Sequence, residues 1–176
     1  MYSKGEIFFT SDTHFNHQLM LKYRSFPDTL EMDITLIENW NNKISEDDHI
    51  FHLGDFAFVS NGKIKEYVNK LNGNIYLIRG NHDKFGLSDC NSRGFCWVKQ
   101  YHFMKIKEYK LALFHYPILL WQKKNKGEAI HLHGHCHQNI PEYEKKAIDV
   151  GVDHPLCNYA PFHFDEILDI LKDREN

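Results

Sequence analysis

Short apolar runs alternate with stretches of helical period through the first half of the chain, and this alternation restricts the fold more than any other feature. Residues 6–11 (EIFFTS), 49–53 (HIFHL) and 75–79 (IYLIR) read as buried strands. Between them, Ile34, Ile37, Trp40 and Ile44 recur at helical spacing within residues 34–44, and residues 62–71 (GKIKEYVNKL) are amphipathic with the same period. Successive parallel strands need a crossover, so strand and helix in alternation predict a parallel sheet. The texture then changes. Residues 97–107 and 110–115 read as a hairpin, residues 129–133 and 147–152 as two further strands, and residues 165–172 (DEILDILK) as a closing helix. The expected architecture is α/β, a mixed-sheet sandwich. No internal repeat or Pro/Gly/Ser-rich linker interrupts residues 1–176, so a single domain is expected.

Each predicted strand of the first half runs into polar residues: SDTH at 11–14, GD at 54–55 and GNHD at 80–83. Ligands of open α/β sheets gather beyond the carboxyl ends of strands, so these clusters can share one site. His115, at the end of the hairpin's outer strand, and HLHGHCH at 131–137 add two more. Asp12 and His14 are two apart, which puts both on one side if strand geometry persists, as two ligands of one metal require; the alternative is an Asp capping a turn beside an incidental His. Gly54 lets the backbone turn and leaves Asp55 at the strand end, where its two oxygens can bridge two cations. In GNHD, Asn81 can ligate through its carbonyl oxygen without adding charge, His82 can serve as an acid–base group, and Asp83 can hold that ring in position; the plain alternative is an Asn/Asp turn.

Strict alternation would place His131, His133, His135 and His137 on one face, but Gly134 permits a bend. His135 and His137 are therefore the expected ligands. His131 and His133 are expected inside the strand, packed or hydrogen-bonded, with His133 able to support a ligand from behind. Cys136 should point away from the site. His17 is a candidate for touching a phosphate, against the alternative of a helix-start or surface histidine. Lys22 and Arg24 read as solvated helix charges, Arg79 has no readable direction, and His52 reads as an internal strand histidine.

With 42% hydrophobic and 14% aromatic residues, 176 residues can bury a substantial core. The net charge of -3 is spread without blocks of one sign, which disfavours long duplex nucleic acid but not a small nucleotide. Cys90, Cys96, Cys136 and Cys157 show no CxxC spacing, so reduced thiols in a cytoplasmic protein are expected. The opening MYSKGEIFFTSD is unlike a secretory leader, and no apolar run approaches the ~20 residues a membrane span needs. No feature points to a particular oligomeric state.

SDTH, GD, GNHD, a lone His and GHCH, in that order over residues 12–137, resemble the motifs of the calcineurin-like metallophosphoesterases, in particular small, cap-less bacterial and phage members. The resemblance implies a four-layer α/β/β/α sandwich, two mixed sheets flanked by helices, with a two-metal centre at its edge. It implies Asp12, His14 and His137 on one metal, Asn81, His115 and His135 on the other, and Asp55 bridging them. His82 then matches the family's catalytic histidine and Asp83 its partner. Two departures stand out: Tyr116 follows the lone His where many relatives have Gly, and GDFAF carries Phe56, Ala57 and Phe58 where many have a second acidic residue. The IDVGVD segment at 148–153 resembles a late strand of the small members.

Imidazole and carboxylate ligands without thiolate suit two divalent transition-metal ions, manganese first, with iron, nickel, cobalt or zinc as alternatives. Two divalent cations against two carboxylates and a bridging hydroxide leave a positive first shell that attracts phosphate, and an amide at Asn81 preserves it. In-line attack of such a hydroxide, with His82 as general acid, would hydrolyse a small phosphomonoester or phosphodiester, a nucleotide among the candidates. Two rivals are a catalytically silent interaction module on the same fold, as in the retromer subunit that resembles these enzymes but lacks the catalytic histidine, and a nuclease of the family. His82 and the full ligand set argue against the first; no added DNA-binding surface supports the second.

Overall fold

In the computed structural model, which describes residues 4–84, 94–139 and 144–173, the first three predicted strands lie side by side. β1 (Ile7–Thr10), β2 (His49–His52) and β3 (Asn74–Ile78) are parallel, joined by β4 (Trp97–Lys99) parallel to β3 and by β9 (Phe162–His163) antiparallel to β1. The order is β4-β3-β2-β1-β9. A second sheet contains β5 (Tyr101–Ile106), β6 (Tyr109–Phe114), β7 (Ala129–His133) and β8 (Ala147–Asp149), antiparallel between β5 and β6 and parallel thereafter. The molecule is thus α/β, with two mixed sheets and flanking helices.

Buried apolar side chains sort into layers. Phe9, Phe51, Leu53 and Ile78 of the first sheet meet Leu111, Leu113, Ile130, Leu132 and Ile148 of the second, and helix α3 (Phe164–Asp173) adds Phe164, Ile167 and Leu171 to this layer. The opposite face of the first sheet, with Phe8, Ile50, Ile75 and Leu77, packs against α1 (Thr29–Lys43) through Met32, Leu36 and Trp40 and against α2 (Ile64–Val68) through Ile64 and Val68. The outer face of the second sheet carries Ala112, Ala129 and Ala147 under Trp121.

Several boundaries differ from the sequence reading. Helix α1 begins at Thr29 because Asp28, extended at φ -155, accepts the Glu31 N–H at 2.9 Å as an N-cap ahead of the apolar stripe. The predicted helix over 62–71 is a 3-10 turn, Asn61–Lys63, leading into the single short α2. The predicted arm over 97–107 is two strands in different sheets, because the chain crosses between sheets at Gln100 while its alternation continues. The last strand of the second sheet stops at Asp149 instead of residue 152. Cys96, Cys136 and Cys157 are free thiols; Cys90 lies outside the described residues. Among the described residues no helix is long and apolar enough to cross a membrane.

Candidate metal centre

Parallel pairing of β1, β2 and β3 brings their carboxyl ends to one edge, and parallel pairing of β6 and β7 does the same for the second sheet. The strand-end loops then bond to one another: Asp12 and His14 donate their backbone N–H to Gly54 and Asp55 at 2.9 and 3.0 Å, and Gly134 donates to His115 at 2.9 Å. Asp12, His14, Asp55, His135 and His137 all have left-handed backbones, with φ of 57, 48, 55, 70 and 47°. Such conformations cost non-glycine residues energy and persist where the surroundings over-determine them, commonly at functional sites. β1 ends at Thr10, so Asp12 and His14 do not share a side by strand alternation; they meet through these kinked backbones. Gly134 likewise serves close approach: a Cβ there would run into Ser11 Oγ and Asp12 Oδ2, and the reversal falls on His135 and His137 themselves.

Two groups of donors result. Asp12, His14 and His137 bring one ligand atom each within 4.8 Å of one another, as do Asp55, His115 and His135. Asp12 Oδ1 stands 3.9 Å from both His14 Nε2 and His137 Nε2. These gaps are too long for hydrogen bonds, but suit atoms sharing a cation at ~2.0–2.2 Å each. Asp55 Oδ2 lies between the groups, 3.6 Å from His14 Nε2 and 3.5 Å from His115 Nε2. Asn81 Oδ1 is 3.0 Å from His115 Nε2, whose other ring nitrogen faces the Leu53 carbonyl at 2.7 Å.

The electrostatics test whether a cation fits. Asp12 Oδ1 and His14 Nε2 are buried and without a hydrogen-bond partner, although most buried polar atoms have one. Burial pushes the Asp12 carboxyl up to about 7 and the His14 ring down to about 2. Burial opposes charge on His115 too, but the Asp55 carboxylate beside it and the Asp12 charge outweigh it and lift the ring to about 9. The carboxylates therefore draw positive charge to this spot while His14 offers a lone pair. The donor set fits divalent cations.

Residues 6–152 match the sequence profile of the calcineurin-like phosphoesterase superfamily domain. The chain belongs to that superfamily. The superfamily is one of metal-dependent phosphoesterases, which supports a hydrolase, and the two donor groups are possible metal-binding clusters. It is 36% identical over 180 residues to the uncharacterized protein MJ1445 of Methanocaldococcus jannaschii, covering 97% of this chain and 93% of that one. It is 26% identical over 180 residues to the Gene 66 protein of Mycobacterium phage L5, covering 82% and 85%. The protein of unknown function AQ665 from Aquifex aeolicus shares the fold, with a TM-score of 0.74 at 24% identity over 95% of this chain and 100% of that one.

Around the two donor groups of this superfamily member stand residues whose roles the sequence did not mark. Arg24, expected as a solvated charge, is 2% exposed and forks onto Asp153 at 2.7 and 2.8 Å, while donating to the Asp12 and Thr13 carbonyls. Asp153 also takes His137 Nδ1 at 2.7 Å, so this acid at the end of IDVGVD orients a candidate ligand. Asp83, expected to hold His82, instead accepts the Asp55, Phe56 and Gly80 N–H groups at 2.9, 3.0 and 2.8 Å. Three amides converge on its two oxygens, so Asp83 shapes the Asp55 turn. His82 is placed through its backbone N–H, which donates to Asp55 Oδ1 at 2.8 Å.

His17 is buried rather than a surface histidine: its Nδ1 meets His14 Nδ1 at 3.1 Å and its ring stacks on Phe58 at 4.3 Å. His52 is internal, against Thr13 Oγ1 at 2.9 Å, and His131 lies between the Ala112 and Tyr116 carbonyls at 3.0 and 3.2 Å. Tyr116 takes the place of a glycine without displacing His115, its ring lying edge-on to those of His115 and His135 at 4.9 and 4.7 Å. Cys136 groups with His133 and Asp149, apart from both donor groups.

Proposed function

We propose that the chain is a dinuclear phosphoesterase that hydrolyses a small phosphomonoester or phosphodiester, with His82 as the proton donor to the leaving oxygen. The observation that carries this reading is the pair of buried, unpartnered atoms Asp12 Oδ1 and His14 Nε2, with Asp55 Oδ2 set between two donor groups. Asp12, His14 and His137 would hold one cation and Asn81, His115 and His135 the other, with Asp55 shared. Two divalent cations, manganese first by ligand type, would supply Lewis acidity toward phosphoryl oxygens and an activated water.

The chain's own residues do the rest. His17, bonded to His14 through the ring nitrogens, helps fix the His14 tautomer. His82 and Phe58 line both a cavity of about 480 Å³ over the donor groups and a neighbouring one of about 410 Å³ walled by Val59, Ile64 and Lys63. A leaving group departing from the first cavity toward the second passes His82. A ring at that boundary is placed to protonate the departing oxygen, and the second cavity can receive a small organic alcohol. A small substrate, rather than long duplex nucleic acid, and a cytoplasmic setting belong to the same proposal.

The deciding experiment measures hydrolysis of an aryl monoester and an aryl diester by manganese-loaded protein, before and after chelation. His82→Asn should lower turnover ~10²–10⁴-fold while elemental analysis shows the metal retained. Hydrolysis that survives chelation would refute the reading, and joint loss of metal and activity in His82→Asn would remove His82 from its role.

A further inference from the structure

Behind the loop that carries His135 and His137, three more donors converge. His133 and Asp149 are register partners on β7 and β8, so their side chains leave the same face of the second sheet. Their chain neighbours Leu132, Ile148 and Val150 fill the layer between the sheets, which makes this the outer face. After Gly134 the chain turns back and brings half-buried Cys136 over that face. One ligand atom from each of His133, Cys136 and Asp149 lies within 4.8 Å of the others.

We propose that His133, Cys136 and Asp149 bind a third divalent cation, of the thiophilic zinc type, distinct from the two-metal centre. A thiolate and a carboxylate balance a divalent charge, the imidazole supplies a third bond, and a water completes a tetrahedral set. Ligand softness separates this site from its neighbour, because both donor groups of the phosphoester centre contain only nitrogen and oxygen. Two hydrogen bonds preorganise it. The Gly134 carbonyl lies 3.0 Å from His133 Nδ1, which puts the ring proton there and the lone pair on Nε2. The Gly151 N–H reaches Asp149 Oδ1 at 2.8 Å and fixes the carboxylate plane.

The consequence is mechanical. Cys136 sits between His135 and His137, whose left-handed backbones have φ of 70 and 47°. A cation on Cys136 ties that strained loop to β7 and β8 and so holds one ligand of each catalytic metal in place. The site is a structural staple that would preorganise both halves of the phosphoester centre.

The test titrates metal-stripped full-length protein with cobalt(II) and follows thiolate-to-cobalt charge transfer in the near ultraviolet. No sulfur belongs to the phosphoester centre, so such a band reports a cysteine site, and the cysteine replacements assign it. The band should saturate by three cobalt per chain, one at this site and two at the phosphoester centre, and be displaced by zinc. It should vanish in Cys136→Ser and survive Ser replacement of Cys90, Cys96 and Cys157. Zinc should also shield Cys136 of the unaltered protein from iodoacetamide, a readout that needs no variant. Absence of a thiolate band at every cobalt loading, a band persisting in Cys136→Ser, or Cys136 alkylation unaffected by zinc would overturn the proposal. Phosphoester activity and manganese content are separate measurements, so failure here leaves the two-metal reading standing, and the reverse.

Discussion

Truncating Asp153 should cost stability and metal affinity together. The Arg24 side chain has no exposed surface and that of Asp153 is 15% exposed, so the fork between them is nearly sheltered from water. Removing one partner of a buried ion pair leaves the other charge uncompensated, at ~3–5 kcal/mol. Arg24 retains bonds to the Asp12 and Thr13 carbonyls at 2.7 and 2.9 Å, which places Asp153→Ala near the lower end, about 3 kcal/mol. For a chain of 176 residues that corresponds to a fall in Tm of about 6–12 °C. The same change deprives His137 Nδ1 of its carboxylate, and loss of such a supporting partner weakens metal binding by ~10–100-fold. Calorimetry of the metal-free protein and manganese titration would measure the two effects separately. Arg24→Met combined with Asp153→Ala should recover part of the lost stability, because the orphaned charge is gone. A melting point within about 2 °C of the unaltered protein would defeat the buried-pair argument. Unchanged manganese affinity would show that His137 is not oriented through Asp153.

Other perturbations probe different parts of the molecule. Burial holds the His52 ring down to about 3 and the His131 ring down to about 4, against 6.5 for an ordinary histidine. The unfolded chain takes up these protons first, so the stability they confer is complete above 6.5 and declines as pH falls below it, by up to about 1.4 kcal/mol per pH unit for each ring. Urea midpoints of the metal-free protein should accordingly drop between about pH 7 and about pH 5; an NMR resonance of either folded ring titrating near neutrality would contradict this. Gly134→Ala should destabilise by at least ~1–3 kcal/mol and strip metal, since the added methyl meets Ser11 and Asp12. Wild-type metal content in that variant would count against the close-approach argument. Asp55→Ala should deplete both cations, because its Oδ2 faces both groups, whereas Asn81→Ala should deplete one; two metals retained per chain in Asp55→Ala would sink the shared-ligand model.

Local pattern was enough to locate the donors, and folding was needed to explain them. Polar residues directly after buried apolar runs are readable in one dimension, because residue type changes abruptly there, even though Asp12, His14, Asp55 and His115 are themselves buried. That is why Asp12, His14, Asp55, Asn81, His82, His115, His135 and His137 could be named before their positions were known. The sheet crossing at Gln100 and the short strand β9 left no such mark: alternation runs on across the crossing, and a two-residue strand has no period. Arg24 and Asp153 stand 129 residues apart, and nothing around Arg24 distinguishes it from a charge on a wet surface. By itself, then, the sequence determined the strand and helix alternation and the set of candidate donor side chains at strand ends, since both show as local changes of residue type along the chain. Only tertiary structure decided that left-handed turns bring Asp12 and His14 together, that Asp83 serves the Asp55 turn instead of His82, and that a buried arginine braces His137. Each of those depends on contacts between distant segments, whose energies no local window of residues contains.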